Sequence, residues 1–91
     1  MKEFVKNLIE QHKFASKQLT KIEDCLESGN ALEGVSKGEV SIDEYSAMNY
    51  QNKLLRDYVE ILEVRLHYNN VIITNDGEYF EKVEDKSKED A

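Results

Sequence analysis

The chain has 91 residues and a mass of 10.6 kDa, and this length limits it to a single domain. Its formal net charge is -7. Hydrophobic residues make up 40% and charged residues 34%, and proline and tryptophan are absent. This composition is typical of a helical protein rather than a β-barrel or sandwich. No apolar run approaches the roughly 18 to 20 residues of a membrane helix. The single cysteine, Cys25, excludes an internal disulfide, so we expect a cytoplasmic protein.

The negative charge is concentrated at the C-terminal end, where residues 71–91 hold three lysines and seven acidic residues. An acidic chain gains nothing from counterion release, so direct nucleic-acid binding is not expected. A protein that mimics DNA would spread its carboxylates over the folded body. Here they crowd into residues 84–91, which we expect to form a disordered acidic tail.

The first predicted helix covers residues 3–28. Its core positions recur at alternating gaps of three and four, which is the spacing of a coiled-coil seam. The seam consists of Val5, Leu8, His12, Ala15, Leu19, Ile22 and Leu26. Glycine follows the last seam residue as a helix stop. The further glycines at 34 and 38 predict a loop over residues 29–41.

The second predicted helix covers residues 42–69 and begins with a capping box formed by Ser41 and Glu44. Its seam repeats the same gaps through Tyr45, Met48, Asn52, Leu55, Val59, Leu62 and Leu66. Laid antiparallel, the two seams pair layer by layer, for instance Leu8 with Leu62 and Ile22 with Met48. We therefore predict a helical hairpin over residues 1–70. The polar residues His12 and Asn52 fall in different layers and are predicted to set the register.

One flank of this hairpin is aromatic and aliphatic, whereas the other is polar. We call it the apolar face, and it is formed by Phe4, Phe14, Leu54, Tyr58, Ile61 and Tyr68. Two helices cannot bury such a surface alone, so it predicts an interface between copies of the chain, a homo-oligomer. The alternative is that residues 71–83 fold back over it.

Residues 71–83 read as a β-hairpin. A β-branched run over 71–74 and an aromatic pair, Tyr79 and Phe80, flank an Asp76-Gly77 turn. The competing interpretation extends the second helix to Thr74. The fold class is accordingly mainly α, a long antiparallel two-helix hairpin with a short C-terminal β or extended element.

The sequence contains no phosphate-binding or nucleophile motif and no cluster of histidine and cysteine. We expect no catalytic residues, no metal, no cofactor and no enzymatic activity. Cys25 is interpreted as a small packing residue and His67 as a solvated helix residue. The strip Lys13, Lys17 and Lys21 is interpreted as a solvated helix face.

Arg65 is the strongest ligand-binding candidate because it lies on the apolar flank with Tyr58 and Gln51. A guanidinium beside aromatic rings can pair with a phosphate or stack on a base. Lys53 and Arg56 are weaker candidates on the same helix. The competing interpretation gives Arg65 a salt bridge to an acidic residue of a partner.

The pattern of the second helix resembles one in small bacteriophage proteins. It reads Gln51-x-x-x-Leu55-x-x-Tyr58-x-x-x-Leu62-x-x-Arg65-Leu66, and Lys21-Ile22-x-x-Cys25-Leu26 closes the first helix. Leu55 and Cys25 depart from the methionine and phenylalanine that are usual there. The layout is also similar to the helical hairpin of phage anti-CBASS and anti-Thoeris proteins, which oligomerise and sequester nucleotide signals between protomers.

That resemblance implies a phage protein in the cytoplasm of the bacterial host. It would inhibit antiviral defence by holding a nucleotide second messenger between protomers. The alternative that stays open is a coiled-coil adaptor, or a direct inhibitor of a host defence protein, with no small-molecule ligand.

Overall fold

The computed structural model describes residues 1–82 as a long helix pair with two small additions. Its elements are α1 (Glu3–Glu27), α2 (Asn30–Ser36), α3 (Ile42–Tyr68), β1 (Val71–Ile73) and β2 (Tyr79–Glu81). The molecule measures 66 × 21 × 20 Å, and its radius of gyration is 18.3 Å. A compact domain of this length would have about 12 Å. The mainly α hairpin is confirmed, and the acidic tail expected at 84–91 lies outside the described residues.

Contacts between α1 and α3 confirm that the two helices run antiparallel. The Arg65 guanidinium carbon, near the end of α3, lies 5.8 Å from the ring centre of Phe4, near the start of α1. About two turns further along α1, Gln11 Oε1 accepts a hydrogen bond of 3.5 Å from the Tyr58 hydroxyl, which lies earlier on α3. Leu8 and Leu62 belong to the same buried cluster, as the seam pairing requires.

The loop expected at residues 29–41 is wrong in part, because Asn30–Ser36 forms the short helix α2. Gly29 takes a left-handed φ of 81° and separates α2 from α1. Gly34 is a contact site rather than a helix breaker. A Cβ at position 34 would lie 2.8 Å from Cγ2 of Val40, so only glycine admits this approach. The glycines at 34 and 38 were therefore a misleading sign of a loop, because this segment contains the helix α2 and a close contact at Gly34.

Both ends of α3 have clear chemical causes. Ser41 Oγ accepts a 3.0 Å hydrogen bond from the Glu44 backbone N–H, which confirms that half of the capping box. The reciprocal bond to the Glu44 carboxylate does not occur in the described part of the chain. At the other end, Asn70 has a φ of 63°, which a continuing α-helix cannot accommodate. Extension of the helix to Thr74 is therefore excluded.

The C-terminal β-hairpin pairs β1 and β2 in the antiparallel sense, as predicted. Val71 faces Glu81, Ile72 faces Phe80 and Ile73 faces Tyr79. Gly77 supplies the left-handed φ of 82° in the turn. Since side chains alternate along a strand, Val71, Ile73 and Tyr79 turn towards the helices, whereas Ile72 and Phe80 stay exposed.

Apart from Ala31 on α2, the buried hydrophobic residues form one cluster at the end of the helix pair that carries the β-hairpin. It consists of Val5, Leu8, Ile9, Ala15, Val59, Leu62, Leu66 and Val71. Towards the α2 end, the seam residues Leu19 and Leu55 are only partly buried. At the first end the β-hairpin packs on both long helices, and at the other end α2 contacts α1 and α3.

Because the buried cluster lies at one end of the helix pair, two leucines of α3 should differ in how much they contribute to stability. Leu62→Ala should cost about 2 to 5 kcal/mol of unfolding free energy, because Leu62 is completely buried. Leu55→Ala should cost clearly less, since its neighbours leave it half open. Urea denaturation followed by circular dichroism measures both. Equal losses would contradict a core confined to one end.

Candidate functional site

The β-hairpin covers one side of the helix pair and leaves the other bare. Its Tyr79 side chain packs edge-on against His12, with ring centroids 5.5 Å apart and planes at 83°. The Lys13 Nζ lies 5.5 Å from the centre of the Tyr79 ring. These contacts fall on the polar flank, beside Glu63. Residues 71–82 therefore do not cover the apolar face, and the alternative in which they do is wrong for the part of the chain described.

All six residues of the apolar face are exposed, by between 44% and 78% of their surface. Leu54, Ile61 and Tyr68 recur every seven residues on α3, with Tyr58 between them. This is the spacing of a second coiled-coil seam, open to solvent. Tyr50 and Val64 are exposed on the same side of α3, and the strict seam count overlooked them. A contiguous surface of this kind marks a site of interaction.

Arg65 lies within the apolar face with its guanidinium over the ring of Phe4. Among residues 1–82 it has no carboxylate partner. Tyr58 lies about two turns earlier on the same side of α3, and the helical repeat places Gln51 a further two turns along it. Three of the five predicted ligand residues thus share one surface, with an unpaired cation at one end.

The other two predicted ligand residues point elsewhere. Arg56 Nη2 lies 3.6 Å from Glu23 Oε2 and joins α3 to α1 on the polar flank. By the helical repeat, Lys53 is turned about 120° from Arg65 around the axis of α3. The five residues therefore do not form a single basic pocket.

His12 lies in the core with only 6% of its surface exposed. His12 Nδ1 and the Tyr79 hydroxyl oxygen share a hydrogen bond, and Nε2 lies 3.7 Å from the Glu63 carboxylate. At 3.7 Å the Nε2 contact is too long for a hydrogen bond. Nε2 and the Asn52 Oδ1 are the two buried side-chain polar atoms without a hydrogen-bond partner within residues 1–82. The sequence placed both residues in the seam, but did not show that His12 anchors the β-hairpin.

The environment of Tyr79 favours its neutral hydroxyl. Burial raises the pKa of Tyr79, and the negative charges of Glu63 and Glu10 raise it further. The shifted group packs against His12, which lies on α1. It marks the contact between β2 and α1 as sensitive to ionisation.

A shallow pocket of about 220 Å³ lies where α3 meets the β-hairpin. His67, Asn70, Val71, Ile72 and Lys82 line it. His67 and Arg65 occupy opposite sides of α3, so this pocket is separate from the apolar face. Within residues 1–82 there is no group of three or more histidine, cysteine or acidic residues placed to hold a metal ion. The helices of that region also include none that is long and apolar enough to span a membrane.

Comparison of the chain with protein-family models, curated proteins and solved structures yields no match. Two surfaces of the molecule are the candidates for function. These are the apolar face and the His12–Tyr79 contact on the opposite flank.

The raised pKa of Tyr79 predicts a loss of stability in alkali. The folded state holds the neutral hydroxyl more strongly than the unfolded chain does, so this contribution is complete below the ordinary tyrosine pKa of about 10. It is lost as the pH rises through the higher pKa of the folded state. Thermal unfolding measured between about pH 8 and 12 should show a steeper alkaline decline in the native protein than in Tyr79→Phe.

Tyr50→Phe serves as the matched control, because Tyr50 is exposed on α3. It should keep the alkaline profile of the native chain. An unchanged profile in Tyr79→Phe would show that this tyrosine does not link pH to folding.

Proposed function

We propose that this protein is a helical-hairpin interaction module that self-associates through its apolar face. The observation that carries the proposal is the exposure of all six residues of that face while the β-hairpin packs on the opposite flank. A monomer would keep a second coiled-coil seam in water.

The energetics favour association. Burying apolar surface contributes about 25 cal/mol for each Å². A fully enclosed aromatic side chain buries about 150–250 Å², and Phe14 and Tyr68 are still 67% and 78% exposed. The half-open seam towards the α2 end adds to this drive, because a second copy would also shelter its edges. A short chain folded as an elongated hairpin has few other ways to enlarge its core.

Self-association predicts that a charge placed on the apolar face separates the protomers. Leu54→Lys should weaken association by about tenfold or more, since burying a leucine is worth about 1.5 to 3 kcal/mol. Light scattering coupled to size-exclusion chromatography measures the mass of both forms at tens of micromolar.

Leu32→Lys is the matched control. Leu32 is also a helical leucine, 55% exposed against 49% for Leu54, but it lies on α2. It should leave the oligomer intact. A native protein that runs as a monomer, or equal effects of the two substitutions, would reject the proposal.

A second candidate function is that the oligomer sequesters a nucleotide signal, as the phage resemblance implies, and so inhibits a host defence pathway. The observation favouring it is Arg65, an unpaired cation beside the Phe4 ring on the face that carries Tyr58. Such a group suits a phosphate or a stacked base. Against it stand the dispersal of Lys53 and Arg56 and the net charge of -7. Direct binding of a host defence protein would use the same face without a nucleotide.

A thermal-shift screen against cyclic dinucleotides, cyclic trinucleotides and ADP-ribose derivatives tests this candidate. A ligand at a hundredfold excess over its Kd adds about 2.7 kcal/mol of stability, which corresponds to about 10 to 20 °C in a domain of this size. The shift should vanish in Arg65→Ala and persist in Lys53→Ala. Absence of any shift at about 1 mM ligand would remove the candidate.

A further inference from the structure

We infer that the partner on the apolar face is a second copy of this chain, docked with its α3 antiparallel to α3 of the first. In this dimer a two-fold axis passes near Ile61, and Arg65 of each copy meets Asp57 of the other. The inference rests on the proposed self-association and specifies its geometry.

The distribution of apolar groups selects α3 as the contact helix. α3 supplies four of the six residues of the apolar face, and Tyr50 and Val64 extend its exposed surface. On α1 the corresponding strip alternates Phe4 and Phe14 with glutamines at 11 and 18. Pairing α3 with α3 therefore buries more apolar surface than pairing α3 with α1 of the second copy. The β-hairpin does not obstruct this approach, because it packs on the other flank.

The spacing along α3 is symmetric about Ile61. Leu54 and Tyr68 lie seven residues before and after it, and Asp57 and Arg65 lie four residues before and after it. In an isologous dimer with antiparallel helices, residues equidistant from the axis face each other. The axis therefore places Leu54 against Tyr68 of the second copy and Asp57 against its Arg65.

Charge specifies the same arrangement. Asp57 and Arg65 are both exposed, and neither has an ion-pair partner within residues 1–82. By the helical repeat, Arg65 and Asp57 lie about 40° to either side of Ile61 around the axis of α3. A long arginine side chain can reach across an interface and bind the facing carboxylate bidentately. A parallel dimer would instead set like charges beside each other, which costs several kcal/mol.

The test uses two full-length variants with reversed charges, Arg65→Asp and Asp57→Arg. Each alone should raise the dimer Kd by about tenfold or more, because two acids or two arginines then face each other. An equimolar mixture of the two should recover the dimer as a heterodimer, since every facing pair is then opposite in charge. Native mass spectrometry separates the heterodimer from both homodimers by mass, and circular dichroism checks that each variant is folded.

The outcomes separate this inference from the proposal on which it rests. A heterodimer formed in preference to either homodimer supports the arrangement. A native dimer whose two variants fail to combine would overturn the geometry and leave self-association intact. A native protein that is monomeric overturns both, and a nucleotide bound through Arg65 in that monomer would assign the cation to phosphate.

Discussion

A pair of helices shields its seam of side chains most completely where a third element packs over the groove between them. In this protein the β-hairpin does so at one end, and there Leu8, Leu62 and Leu66 are shielded almost completely from water. Beyond the reach of the β-hairpin the same heptad pattern continues, but Leu19 and Leu55 are only partly buried. The hydrophobic driving force is therefore unevenly distributed along a molecule 66 Å long.

The position of the β-hairpin decides which surface remains for a partner. Val71 enters the core directly after α3, and Tyr79 follows on the neighbouring strand to reach His12. Both contacts draw the two strands to the flank of Glu63. Since one short sheet cannot cover two flanks of a helix pair, the opposite flank stays bare. The packing of the β-hairpin on that flank therefore both stabilises the monomer and leaves the apolar face exposed.

Residue spacing predicted the long elements well, because each depends on local chemistry. The seams, the Ser41 cap and the Gly77 turn act within a few residues of one another, and the structure has all three. Contacts between distant segments could not be predicted in this way. The hydrogen bond between His12 and Tyr79 joins residues 67 positions apart. α2 was not predicted because its seven residues are too few to show a helical period. Gly34 also suggested a loop, whereas it allows close contact with Val40. The apolar face was predicted as a set of residues, but its freedom from the β-hairpin required the structure.

Arg65 makes the apolar face selective among the possible alignments of a partner helix. Hydrophobic burial alone favours many alignments of two helices, because it depends on area rather than direction. The guanidinium of Arg65 adds a directional preference. A partner that buries Arg65 without offering it an acidic group removes water from the charge and supplies no counterion. That costs several kcal/mol. In water the same charge over the Phe4 ring costs little, because Arg65 is solvent-exposed. The cation therefore scarcely affects the free chain and penalises every alignment that fails to bring a negative group opposite it. An interaction surface built in this way gains its affinity from the aromatic and aliphatic residues and its selectivity from one arginine.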